Sequence, residues 1–81
     1  MTKMIKSEQI VEIIEEVIGV KIDDYSMKPM SKGLDSLAIL KLVTFFEDRF
    51  GIEIDDEDLT AENMSSVNAI INMVKKYDSE E

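Results

Sequence analysis

Apolar residues return at helical spacing in three separate stretches of this chain, and a glycine follows each of the first two. Ile10, Ile13, Ile14, Val17 and Ile18 form one stripe, with Glu8, Glu12, Glu15 and Glu16 on the opposite face and Gly19 behind it. Leu42, Phe46 and Phe50 form a second, joined by Ile39 and Val43 and stopped by Gly51. Met64, Val67, Ile70, Ile71 and Val74 form the third. A period near 3.6 residues gives each stretch one face to bury, and glycine is the residue that ends such helices at least cost. Ile52-Glu53-Ile54 alternates like a strand but has no partner strand in the sequence, so it reads as an extended link. The fold class is therefore all-α, with three main helices.

Local signals set the boundaries. Ser7 is placed to cap the first helix, with Glu8 favourable in its first turn. The second helix runs from Ser36 to Phe50, capped by Asp35 or Ser36. A short helical turn is expected around Leu59, within Asp55 to Glu62. Ser65 or Ser66 caps the last helix, and Lys75 and Lys76 suit its C-terminal end. Val20 to Asp35 shows no helical period and contains Pro29 and Gly33, so it is a long first loop, pinned by Val20, Ile22, Tyr25, Met27, Met30 and Leu34. Residues 1–6 and 78–81 are expected to fray. No internal repeat is apparent. The second helix carries more apolar surface than one core-facing stripe needs. Leu37 and Leu40, toward another side with Lys41 and Thr44, are either core or an exposed contact patch.

Composition narrows the chemistry. With 81 residues the chain forms a single domain, 1–81, which buries only about 60% of its unfolded surface. Its formal net charge of -9 repels nucleic acid and anionic lipid and attracts basic protein surfaces. It has no cysteine and no histidine, which removes disulfides, thiolate metal sites and the usual neutral-pH base. No apolar run reaches the ~20 residues of a membrane span, and no signal-peptide core follows Lys3 and Lys6. A monomeric cytoplasmic protein is expected. The initial methionine and the acidic tail favour a discrete protein over an excised domain.

The obvious catalytic and metal constellations fail. An EF-hand loop begun at Asp55 puts Thr60 and Ser66 where glycine and glutamate belong, and one begun at Asp56 puts Ala61 and Val67 there. No metal ligand set is assigned. Ser-His-Asp catalysis is excluded by the missing histidine, and a Ser–Lys pair from Ser36 with Lys28 or Lys32, though not formally excluded, has little room for a water-excluded pocket in so small a bundle. What remains is Gly33-Leu34-Asp35-Ser36-Leu37. A glycine turn delivers a serine to the start of an apolar helix, where its hydroxyl is presented outward and backbone N–H groups favour an attached anion. Ser36 reads as a handle that another enzyme modifies.

From Ser7 to Tyr77 the chain resembles the acyl carrier protein family. The likeness rests on the Gly-x-Asp-Ser-Leu signature, the helix ending Phe46-Glu47-Asp48-Arg49-Phe50-Gly51, the Ile52-Glu53-Ile54 link and the acidic stretch after it. The resemblance implies a small up-down bundle of three main helices plus one short helix, with no catalysis of its own. It implies that Ser36 carries 4′-phosphopantetheine, transferred from coenzyme A by a phosphopantetheinyl transferase that recognises Asp35. It maps Leu37 and Leu40 to a hydrophobic partner surface, with Lys41 and Thr44 beside them, and Glu47 and Asp48 to acidic docking positions. The implied partners are the transferase, an acyl- or aminoacyl-loading ligase and a downstream synthase or transferase.

Several residues depart from the fatty-acid members of that family. Ala38 and Lys41 replace acidic residues, Lys28 and Lys32 make the approach to the motif less acidic, and Phe45 and Phe46 are bulkier than usual. These point to a dedicated carrier in a polyketide or mixed peptide–polyketide pathway, although typical peptidyl carriers show a Gly-Gly-x-Ser core instead. The alternatives are a carrier for general fatty-acid synthesis or D-alanyl transfer, and an unmodified acidic adaptor. Phe46 fills space that a long acyl chain would need, so short cargo lying outside the bundle is expected.

Overall fold

The structure, a computed structural model, describes residues 5–78. Its element order is α1 (Ser7–Ile18), a 3-10 turn (Pro29–Lys32), α2 (Ser36–Phe50), a second 3-10 turn (Asp56–Asp58) and α3 (Val67–Lys75). No strand occurs among the described residues, and the domain measures 37 × 25 × 19 Å. The three expected helices are all present, and α2 has the bounds its sequence signals set. The short helical turn falls at Asp56–Asp58, just before Leu59.

Helix α1 packs against both α2 and α3. It buries Ile10, Val11, Ile13 and Ile14 against Leu42, Phe46 and Phe50 of α2 and Val67, Ile70, Ile71, Met73 and Val74 of α3. Phe46 is fully buried, its ring 6.1 Å from that of Phe50. Aromatic neighbours at this separation add modestly to the burial of their large apolar area. No charged or polar residue among the described ones belongs to the core.

Two helix ends are built alike. Gly19 and Gly51 take left-handed φ values of 70° and 66°, and their N–H groups donate to the carbonyls of Glu15 and Glu47. The side chains of the same glutamates then accept the N–H of Ile22 at 2.8 Å and of Ile54 at 2.9 Å. Glu15-x-x-x-Gly19-x-x-Ile22 and Glu47-x-x-x-Gly51-x-x-Ile54 are one device used twice. The expectation of no repeat is corrected at this scale: the segments EEVIGVKI and EDRFGIEI match in chemistry at most positions. Each acid holds the chain as it leaves the helix, so that the isoleucine is set back into the core.

One cap differs from expectation and another is settled between its two candidates. The N-cap position of α1 is Lys6, with Ser7 already in the helix, because the Gln9 side chain reaches back to accept the Lys6 N–H at 3.2 Å. At α3 the cap is Ser66, whose hydroxyl accepts from Ala69 N–H at 3.1 Å. The first loop completes that end: the carbonyls of Met27 and Tyr25 accept the N–H groups of Val67 and Asn68 at 3.0 and 2.9 Å. Helix starts leave such donors unpaired, and here a distant loop supplies the acceptors. Of the loop's apolar residues, Ile22 and Leu34 are buried, whereas Tyr25 and Met30 are exposed.

The expected fraying is also corrected at its inner edge. Ile5 is buried and its N–H donates to Asp78 at 3.1 Å, joining the two ends of the described chain. Residues 1–4 and 79–81 of that expectation lie outside the described residues.

Candidate functional site

Three local features place Ser36. Gly33 has φ 111°, a conformation that side chains disfavour, and it turns the chain out of the first 3-10 turn. Leu34, within the motif, is 2% exposed and fixes the backbone just ahead of Asp35. Asp35 then caps α2: its Oδ1 accepts Ala38 N–H at 2.9 Å while its carbonyl accepts Ile39 N–H at 2.9 Å. Of the two caps the sequence left open, Asp35 is the one formed.

That division of labour leaves Ser36 free. It is the first residue of α2, it is exposed, and its hydroxyl makes no hydrogen bond among the described residues. The N–H groups of Ser36 and Leu37 also lack an acceptor there. An exposed hydroxyl beside two unpaired N–H groups at the positive end of a fifteen-residue helix suits a covalently attached phosphate. That hydroxyl donates to no side chain among the described residues, and no group of three or more metal-binding side chains occurs among them.

Leu37 and Leu40 resolve in favour of exposure, at 72% and 60%. With the cap residue Asp35, with Ala38, Lys41, Thr44 and Phe45 of α2, and with Val17 of α1, they line an open groove of about 570 Å³ that runs along the helix from the motif. Thr44 donates its hydroxyl to the Leu40 carbonyl at 2.9 Å, which helps keep the groove wall apolar. Lys41 is exposed in this wall. Asp48 lies beyond it, in an adjoining hollow with Ile13, Glu16, Phe45 and Arg49.

Glu47 is placed differently. It is half-buried and its carboxylate holds the Ile54 N–H, so it braces the link after α2. The structure thus gathers Asp35, Leu37, Leu40, Lys41 and Thr44 around one groove headed by Ser36, with Asp48 at the margin. Val17, Ala38 and Phe45 were missed as lining residues. Phe45 could have been found, because positions 37, 41, 44, 45 and 48 follow one another on a helical wheel. Val17 could not, since its stripe on α1 reads as core.

The acidic stretch forms a tie. The Tyr77 hydroxyl donates to Asp58 Oδ2 and accepts the Asp55 N–H at 3.0 Å, and Lys76 Nζ lies 3.6 Å from Asp58 Oδ1. The hydrogen bond from Tyr77 holds the Asp58 carboxyl below its ordinary range, with the nearby Lys76 charge acting in the same direction. Partial burial and that same bond raise the Tyr77 phenol.

A family model described as a phosphopantetheine attachment site matches residues 8–74. Among curated proteins, an acyl carrier protein of Buchnera aphidicola is 40% identical over 73 residues, covering 86% of this chain and 91% of the relative. One from Clostridium acetobutylicum is 33% identical over 76 residues, covering 90% and 96%. One from Chloroherpeton thalassium is 41% identical over 69 residues, covering 82% and 84%. No helix among the described residues is long and apolar enough to cross a membrane.

Proposed function

The chain belongs to the phosphopantetheine attachment family that includes these acyl carrier proteins, and from that premise we propose that Ser36 is its attachment residue. The observation that carries the reading is an uncommitted, exposed hydroxyl at the head of α2. Attached 4′-phosphopantetheine supplies a thiol for thioester chemistry, which a chain without cysteine lacks. The chain's own part is to present and to hold. The free N–H groups of Ser36 and Leu37 and the helix dipole favour the phosphodiester charge, an effect of about 0.3–1 kcal/mol at an exposed site. The proton of Ser36 leaves to a base on the transferase, because no side chain among the described residues accepts a hydrogen bond from it. Asp35 spends one carboxylate oxygen on the cap and keeps the other for recognition by that enzyme.

Partners are met along the groove. Leu37 and Leu40 supply apolar contact, Lys41 and Thr44 flank them, and Asp48 supplies an acid at the margin. Glu47 contributes by holding the end of α2 in place. A small patch favours rapid exchange between the loading enzyme and later ones.

Within this carrier role we favour a dedicated, specialised pathway, because the exposed wall of α2 has no acidic residue between Ser36 and Phe46. Short cargo outside the bundle fits the space-filling Phe46. General fatty-acid synthesis is the second reading, favoured by relatives named simply acyl carrier protein. Rescue of a bacterial strain depleted of its own fatty-acid carrier supports the second reading, and failure by a fully loaded chain supports the first.

The attachment test is direct. Incubation with coenzyme A and a broad-range phosphopantetheinyl transferase should raise the intact mass by one arm. Ser36→Ala, with unchanged helical circular dichroism, should gain nothing. Loading of that variant overturns the assignment of Ser36, and no loading of the parent chain favours the adaptor reading.

A further inference from the structure

The charge on this protein is unevenly placed. Seventeen of its eighteen acidic residues lie outside residues 25–46, the segment that forms the later part of the first loop, after Asp23 and Asp24, and the exposed wall of α2. Inside that segment stand Lys28, Lys32 and Lys41 against a single acid, Asp35. Asp35 is engaged with the Ala38 N–H. The three lysines are exposed, and the ion pair among the described residues is Lys76 with Asp58, so none of the three is neutralised. Lys41 sits in the groove wall beside Leu37 and Leu40.

Distance decides which charges a docked partner feels. At physiological ionic strength the screening length is about 8 Å, and the domain is 37 Å long. The net charge of -9 acts on approach, whereas Lys41, in the groove wall, acts at contact. We infer that Lys41, seconded by Lys28 and Lys32, is a specificity determinant that selects partner enzymes whose carrier-docking pocket is apolar with a carboxylate rim, and turns away those with a cationic rim. The repulsive half matters as much as the attractive half, because a small, fast-exchanging contact discriminates well by penalising the wrong partner. The inference rests on the proposed attachment at Ser36.

The probe is an acyltransferase that accepts the loaded chain, prepared in two forms whose docking-pocket rim carries either lysines or glutamates. Each carrier variant is first shown by intact mass to be fully loaded, so a failure of the carrier reading appears before any rate is measured. The parent chain should be acylated with higher kcat/KM by the glutamate-rimmed form. Lys41→Glu should reverse that preference by about tenfold at low salt, with the difference shrinking as salt is raised. Adding Lys28→Glu and Lys32→Glu should extend the reversal. Lys75→Glu on α3 changes the net charge equally and should leave the preference as it was. Equal effects of Lys41→Glu and Lys75→Glu, or a preference that does not move, overturn the inference.

Discussion

Helices α2 and α3 are made of similar residues and use them in opposite ways. Helix α3 buries Val67, Ile70, Ile71, Met73 and Val74 and gives Asn68, Asn72 and Lys75 to water. Helix α2 buries Leu42, Phe46 and Phe50 yet leaves Leu37, Leu40 and Phe45 exposed. Burial of a leucine is worth about 1.5–3 kcal/mol, so α2 forgoes stabilisation that α3 collects. The difference separates a helix that holds the domain together from one that also offers a surface. Their starts differ in the same sense. The first donors of α3 are satisfied by Ser66, Tyr25 and Met27, whereas Ser36 and Leu37 at the head of α2 keep theirs free.

The largest effect should come from emptying the core where the helices meet. Phe46→Ala should destabilise by about 3–5 kcal/mol and Ile70→Ala by about 2–5, measured by urea unfolding. If Phe46→Ala costs less than about 1 kcal/mol, α2 is not anchored as described. Next comes the α3 cap: Ser66→Ala should cost about 1 kcal/mol and speed hydrogen exchange at Ala69.

A smaller effect tests the far end of α3. A lowered Asp58 pKa contributes stability above the ordinary carboxylate value of 3.8, lost as pH falls through the depressed value. A raised Tyr77 pKa contributes stability below the ordinary phenol value of 10.0, lost as pH rises through the raised one. Tyr77→Phe should therefore lower Tm between these limits, and the gap from the parent chain should close at both extremes. A gap constant with pH would show that packing alone is at work. The smallest stability change should be that of Leu40→Ala, within about 0.5 kcal/mol, despite a marked loss in acylation rate by partner enzymes. A stability loss like that of Ile70→Ala would dissolve the contrast between the two helices.

Much of this arrangement was legible in the residues. The bounds of α2 follow from Gly33, Asp35 and Gly51, and Ser36 stands out because so little else in the chain is chemically distinctive. The sequence could not choose between core and surface for Leu37 and Leu40. That choice depends on where α1 lies against α2, which is set by packing and not by period. The role of Glu47 was hidden because its hydrogen bond reaches seven residues ahead, past a glycine, to a backbone group. Comparing it with Glu15 would have exposed the pattern. The loop carbonyls that complete α3 come from residues about forty positions away, and no local signal marks them.

The hydrogen bonds from Val67 and Asn68 to the first loop give the attachment motif a remote witness. The loop that leads to Ser36 also closes the opening turn of α3. A pull on that loop by a docked enzyme is felt at two amides on a different helix, where deuterium uptake can register it without any label at the serine.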